Sequence, residues 1–190
     1  MIVLRAFLLA GLVVHKIVWE VLRRRKHPGG KPSPAKRSAG LAFIKAAKIG
    51  ILVGIVAQTL SPELAPITAE PFVLRVVGTV IYSIGLAVAL AGRIQLGNNW
   101  ADIETARIVD NQDLVAVGLY RYIRHPIYVG DLMLLFGLEL ALNSWLVVAV
   151  VALVPVVLWK AVREEKMLVR TLPGYDEYCA RTKRFVPFAV

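Results

Sequence analysis

Gly118-Leu119-Tyr120-Arg121-Tyr122-Ile123-Arg124-His125-Pro126-Ile127-Tyr128-Val129-Gly130 is a polar, aromatic and basic stretch that runs straight into an apolar one. Pro126 suits the first turn of a helix, where its missing N–H costs nothing. The apolar arm Ile127–Leu142 follows, then only Asn143-Ser144, then a second arm, Trp145–Trp159. That pattern predicts a tight helical hairpin. Each arm is short for a full membrane crossing, so tilt or local thinning is expected, and Pro155 is expected to kink the second arm. Past that arm comes a second polar cluster, Arg163-Glu164-Glu165. The hairpin therefore returns one charged and aromatic patch to the other at the membrane surface. Between them a small molecule has helix-start N–H donors for an anionic group, and tyrosine faces for a cation or an adenine.

Composition agrees with a membrane setting. The 190 residues are 57% hydrophobic with mean hydropathy +0.64, and apolar runs alternate with basic loops. These features predict an all-α polytopic bundle of about five membrane helices forming a single domain, 1–190. The net charge of +10 is concentrated rather than spread, with seven Lys/Arg and no acid between Arg23 and Arg37. Directly after an apolar segment, such a run reads as positive-inside topology and contact with anionic lipid, and no nucleic-acid module accompanies it. The single cysteine, Cys179, cannot form an internal disulfide. Three scattered histidines and that one cysteine offer no metal set.

Upstream, Ile2–Leu22 reads as the first helix, with His15 facing a neighbouring helix or the membrane interface and Lys16 paired to Glu20 one turn away. Leu41–Leu60 reads as the second. Arg75 and Arg93 bracket the third, where 18 steps of about 1.5 Å make about 27 Å, near the hydrocarbon thickness. Within it Gly78, Gly85 and Gly92 recur every seven residues, with Ala89 between the last two, a small-residue stripe that lets another helix approach closely. Asp131 and Glu139 fall inside the first hairpin arm, where charges usually carry function; Glu139 is read as reaching water near the turn. The tail from Lys160 is expected to form two short helical pieces broken at Pro173-Gly174. Five crossings place the N-terminus outside and the C-terminus in the cytosol.

From Gly118 onward four motifs stand in order: G-x-Y-R-x-x-R-H-P-x-Y-x-G to Gly130, R-E-E-x-x-L from Arg163 to Leu168, G-Y-x-x-Y from Gly174 to Tyr178, and R-x-x-P from Arg184 to Pro187. This order resembles the isoprenylcysteine carboxyl methyltransferase family and its relatives, the phospholipid N-methyltransferases and small bacterial membrane methyltransferases. The resemblance implies an integral membrane enzyme that uses S-adenosylmethionine, with 1–92 as N-terminal helices and 93–190 as the cofactor-binding half. It implies a cofactor pocket lined by Gln112, Asp113, Leu114, Val115, Tyr120, His125, Pro126, Ile127 and Tyr128, completed by Glu164 or Glu165. Arg163 and Glu164 become the catalytic candidates, the arginine as the group that handles an acceptor carboxylate. Two departures stand out. Gln112 occupies a position where many members have His, and Leu172-Pro173-Gly174 replaces the usual Phe-Gly.

Methyl transfer from a sulfonium is a direct displacement, so the protein's task is alignment and exclusion of water. A carboxylate acceptor calls for an arginine to orient it, whereas an amine acceptor must lose a proton to a base. Arg163 beside Glu164-Glu165 supplies both, and the sequence does not choose between a lipid-like or prenylated carboxylate and a phospholipid amine. A reductase related to the sterol reductases, which share a similar C-terminal tract but use NADPH, is the rival enzyme. A scaffold that uses the basic loop and the glycine stripe is the rival without catalysis. A gap between the third helix and the hairpin, open to lipid, would suit a lipid-borne substrate. Oligomeric state leaves no mark on the sequence.

Overall fold

The computed structural model describes residues 1–26, 39–61, 65–99 and 113–186. They form six helices: α1 (Ile2–Lys26), α2 (Ala39–Leu60), α3 (Phe72–Leu96), α4 (Pro126–Ala141), α5 (Val147–Thr171) and α6 (Tyr175–Arg181). No strand occurs among the described residues; the two isolated bridges, Pro66 with Ser144 and Ile123 with Lys183, tie loops together. By length and hydropathy, Ile2–Arg24 and Phe72–Leu96 can each cross a membrane. The other helices do not meet that test, which leaves two of the five expected crossings supported by composition alone. Valines along α3 and α5 (Val73, Val76, Val80, Val148, Val151 and Val156) stay exposed. Such apolar faces are at home in lipid rather than in water.

The largest interface joins α3 to α4. Both helices bring glycines to it, so backbone meets backbone. A Cβ on Gly78 would lie 2.3 Å from the Ala141 nitrogen, one on Gly85 2.4 Å from that of Leu134, and one on Gly137 2.2 Å from that of Tyr82. The small-residue stripe thus has its partner in α4. Beside that contact, Ile81 of α3, Leu132, Met133 and Phe136 of α4 and Val150, Val151 and Val154 of α5 line an open apolar hollow between the third helix and the hairpin, the kind of gap that would suit a lipid-borne substrate. On a second side α1 lays Leu8 and Leu12 against Leu134, Leu138 and Ala141. Tyr82 donates its hydroxyl to the Leu8 carbonyl at 2.6 Å.

Polar groups inside the bundle are paired. His15 faces α4, as expected, with Nε2 2.9 Å from Asp131 Oδ1 and Trp19 stacked on its ring. Glu139 does not reach water: it is buried and accepts from Gln58 of α2 at 2.7 Å. The cover comes from α2 through Gln58 and from the α4–α5 turn, where Ser144 also binds the Glu139 carboxyl. Glu20 pairs with Arg23 and Arg24 in place of Lys16, because those guanidiniums sit on the polar end of α1. At the turn Asn143 takes a left-handed φ of 57° and binds Thr68 through both side-chain atoms.

The tail breaks at Pro173-Gly174 into two helical pieces, as expected, but the first of them is not separate from the hairpin. α5 continues past its apolar run through Arg163-Glu164-Glu165 to Thr171, because residues 160–171 contain no helix breaker. Leu172-Pro173-Gly174 then stops it, and Gly174 at φ 75° starts α6. One end of the bundle consequently gathers 97–99, 113–125 and the polar half of α5 with α6. The other gathers the start of α1, the end of α2, 65–71 and the α4–α5 turn.

Candidate active-site cleft

Three local devices build the cleft. Gly118 at φ 59° opens a 3-10 turn, Gly118–Arg121, and the Gln95 side chain packs where a Cβ would stand; its Oε1 accepts from Leu119 N–H at 2.8 Å. This ties the approach segment to the end of α3 and buries Tyr120. His125 then takes the N-cap position of α4 with Pro126 in the first turn, as the sequence predicts. Finally Tyr175 and Tyr178, three apart on α6, turn to the same buried side. The Tyr178 hydroxyl donates to the Tyr120 carbonyl at 2.7 Å.

The strand-like segment after α6 straps the approach segment from behind. Arg124 N–H donates to Lys183 O at 2.8 Å, His125 N–H to Arg184 O at 3.2 Å, and Lys183 N–H to Tyr122 O at 3.1 Å. The centre of this region is Glu165. Its Oε1 accepts from Arg124 Nε at 2.9 Å and Arg184 Nε at 3.0 Å and lies 3.0 Å from His125 Nε2; its Oε2 accepts from the Arg184 terminal nitrogen at 2.7 Å. Arg124 also binds the Cys179 and Thr182 carbonyls. Burial alone would raise the Glu165 carboxyl, but the hydrogen bonds from His125, Arg184 and Arg124 outweigh it and hold the group well below the usual carboxylate range. Glu164 behaves oppositely. Burial pushes it up, against the pull of His125 and of the Tyr128 hydroxyl, which donates to Oε2 at 2.8 Å. Two adjacent acids thus have different environments.

The resulting cleft encloses about 790 Å³ of empty space, its open mouth included. Of the residues singled out in the sequence, Asp113, Leu114, Val115, Tyr120, His125, Ile127 and Tyr128 line it from one side and Glu164 from the other. Gln112 lies outside the described residues. Pro126 turns its ring toward Gly92 of α3, and Glu165 sits behind His125 rather than on the wall. Arg163 is not brought in. It is exposed, and its guanidinium lies 5.4 Å from the Trp159 ring centre on the outer face of α5. Arg124, Met167, Tyr175 and Tyr178 line the cleft without having been assigned to it. The signal for the tyrosines was the G-Y-x-x-Y spacing; for Arg124 it was adjacency to His125.

Comparison with known proteins follows the same residues. A model of the phospholipid methyltransferase family matches residues 73–173, just over half of the chain. The chain belongs to that family. Among curated relatives of this methyltransferase-family chain, the cobalt-zinc-cadmium resistance protein CzcN of Cupriavidus metallidurans is 33% identical over 106 residues, 55% of this chain and 46% of that protein. The nickel-cobalt-cadmium resistance protein NccN of Alcaligenes xylosoxydans xylosoxydans is 35% identical over 77 residues, 40% and 36% of the two chains. The match spans less than half the length of either. A probable protein-S-isoprenylcysteine O-methyltransferase of rice is 26% identical over 152 residues, 77% of this chain and 76% of that one. Among solved structures, the eukaryotic intramembrane Ras methyltransferase ICMT superposes with a TM-score of 0.57 at 17% identity, covering 88% of this chain and 60% of its own. The family member described here therefore shares the membrane-helical fold of that enzyme. Its two span-length helices agree with an integral membrane protein.

Proposed function

We propose that the chain is an S-adenosylmethionine-dependent methyltransferase that works at the cytosolic membrane surface on a lipid-like or isoprenylcysteine-type acceptor. One observation carries this reading: Tyr128 and His125 at the start of α4 meet Glu164 of α5 in the wall of one cleft, 36 and 39 positions apart in the sequence. The donor set suits the cofactor. Glu164 offers a carboxylate to ribose hydroxyls or an amino group, and Tyr120, Tyr128, Tyr175 and Tyr178 surround the space with ring faces. Aromatic faces attract a sulfonium by about 0.5–2 kcal/mol. The apolar residues Leu114, Ile127 and Met167 exclude water from the same space.

When bound, S-adenosylmethionine supplies the methyl group and the sulfonium leaving group. The chain's own work is to bind, orient and dry. Asp113, Leu114 and Val115 form one wall, fixed where Asp113 N–H donates to Asn99 Oδ1 at 2.8 Å. Arg163, outside the cleft, has a role only toward an acceptor that approaches along the outer face of α5 beside Trp159.

The test is ligand stabilisation of the purified protein in detergent. S-adenosylhomocysteine at 100 times its Kd is expected to stabilise by about 2.7 kcal/mol, and NADPH not at all. Stabilisation by NADPH alone would transfer the chain to the reductase reading.

A further inference from the structure

Glu165 receives hydrogen bonds from two guanidiniums and lies 3.0 Å from His125 Nε2, with the side chains of Arg124, His125 and Glu165 all 9% exposed or less. A carboxylate held by two cations is ionised, and an ionised carboxylate only accepts. The hydrogen between Glu165 Oε1 and His125 Nε2 therefore belongs to the nitrogen. In the neutral imidazole the other nitrogen, Nδ1, then carries a lone pair. Nδ1 faces Glu164 Oε2 at 3.9 Å, too far for a hydrogen bond. Two acceptors thus look at each other across a space on the cleft wall that one N–H donor would fill. The Tyr128 ring, stacked on His125 at 5.3 Å between centres and interplanar 7°, fixes the imidazole plane.

We propose, resting on the methyltransferase reading, that Glu165 is a positioning residue: fixed by Arg124 and by Arg184 of the C-terminal strap, it sets the His125 tautomer so that Nδ1 and Glu164 together hold a primary ammonium or amine. Nδ1 acts there as an acceptor, not as a donor to a carboxylate. The ammonium has two sources, the amino group of the cofactor's methionine part and the amine of an acceptor headgroup. In the second case Nδ1 also takes the proton: R–NH3⁺ gives its proton to Nδ1, and the freed nitrogen pair forms the new N–C bond while the C–S pair leaves with sulfur. A carboxylate acceptor would meet two acceptors at this place and be repelled.

The strap matters because it closes the circuit from outside the cleft. Arg184 makes no cleft contact, yet it binds both oxygens of Glu165 and its backbone carbonyl accepts from His125 N–H. Glu165→Gln replaces the acceptor by an amide whose NH2 can donate to Nε2, which reverses the tautomer and puts the proton on Nδ1.

The experiment is ¹⁵N NMR of the imidazoles in the full chain at about pH 8.5, above the ordinary imidazole pKa of about 6.5. His125→Gln identifies the His125 signals among the three histidines. Wild type is expected to carry its proton on Nε2 and E165Q on Nδ1; a wild-type proton on Nδ1 overturns the proposal without any variant having to fold. Binding of S-adenosylhomocysteine is then compared with its desamino analogue. If the cofactor is the source, wild type prefers the amino compound about tenfold or more, and E165Q loses the preference. If the acceptor is the source, wild type binds both alike, and phosphatidylethanolamine vesicles shift the Nδ1 signal where phosphatidylcholine vesicles do not. Absence of both effects overturns the proposal. Failure of wild type to bind either compound strikes the methyltransferase reading instead, while the tautomer result stands by itself.

Discussion

At the level of single residues, the paired acids illustrate how neighbours in sequence acquire separate jobs. Glu164 is raised above its ordinary value by burial, so the folded protein holds that proton more tightly than the unfolded chain does. Stability therefore falls as pH climbs from about 4.5, the unfolded value, and the loss is complete above the folded one. Glu164→Gln removes that cost while keeping an acceptor for the Tyr128 hydroxyl. Ligand-free E164Q is expected to melt a few degrees higher than wild type above the folded pKa and to converge with it in acid, roughly as stability changes of about 1 kcal/mol allow. The same variant is expected to bind S-adenosylhomocysteine more weakly by about tenfold. Glu165 has the opposite sign. Burial would raise it, but His125, Arg184 and Arg124 depress it, so its contribution is present above about pH 4.5 and is lost as pH falls toward its folded value. Melting curves against pH for E164Q and E165Q should therefore lie on opposite sides of wild type above about pH 4.5 and draw together as pH falls. Parallel curves would contradict the environments assigned to the two carboxyls. The sequence made Glu164-Glu165 visible as a pair but gave no ground for separating them. Which acid meets the cleft depends on the roll of α5, and that is fixed by Arg124 and Arg184 from distant segments.

At the level of elements, the hairpin was legible because its signals are local. Pro126 starts α4, Asn143-Ser144 turns it, and the apolar runs have few interruptions. The glycine stripe on α3 was legible too, but its partner was not, since seven-residue spacing says nothing about what packs on it. The partner surface on α4 is itself built from Gly130 and Gly137, which lay unremarked beside the more conspicuous aromatic motif. This interface gives a graded prediction. Gly137→Ala would place a Cβ 2.2 Å from the Tyr82 nitrogen, and neither backbone can yield without parting α3 from α4. Overpacking of this kind costs about 1–3 kcal/mol or more, so the melting temperature in detergent should drop and the cleft at the same end of α4 should lose ligand binding. Gly54→Ala on α2 is the control: nothing lies within 4 Å of its added Cβ. Ala in place of an unencumbered helical Gly is worth about 0.5–1 kcal/mol, so G54A should melt at or above wild type. If G137A and G54A behaved alike, the α3–α4 contact would not be the spine of the bundle. The continuation of α5 past its apolar run was harder to foresee, because a polar helical stretch after a membrane arm reads equally well as a separate surface helix.

At the level of the whole molecule, the two ends differ in charge in a way that sets orientation. The cleft end carries Arg121, Arg124, Lys160, Arg163, Lys166, Arg170, Lys183 and Arg184 together with Arg23 and Arg24 near the end of α1. The opposite end presents Arg5 and Arg75 beside Glu70. Positive loops stay in the cytosol, so the cleft end is expected there, where a soluble cofactor can reach it. The native Cys179 is half-buried and its thiol is pushed up by burial, which makes it a slow target, and Cys179→Ser clears the background for labelling. On that background Ala69→Cys and Arg181→Cys sit at exposed positions of opposite ends. In intact cells a membrane-impermeant thiol reagent is expected to label the residue-69 variant at once and the residue-181 variant only after permeabilisation. The reverse pattern would turn the cleft away from the cytosol and remove the cofactor supply on which the proposed reaction depends. Labelling of both from one side would mean that α3, α4 and α5 do not carry the chain across an odd number of times. Since the apolar arms of the hairpin are too short to decide this by length, a label in the turn between them is the discriminating one: Trp145→Cys, at an exposed position, is expected to react from outside like the residue-69 variant if α4 and α5 cross as a pair, and only after permeabilisation if the hairpin stays on the cleft side.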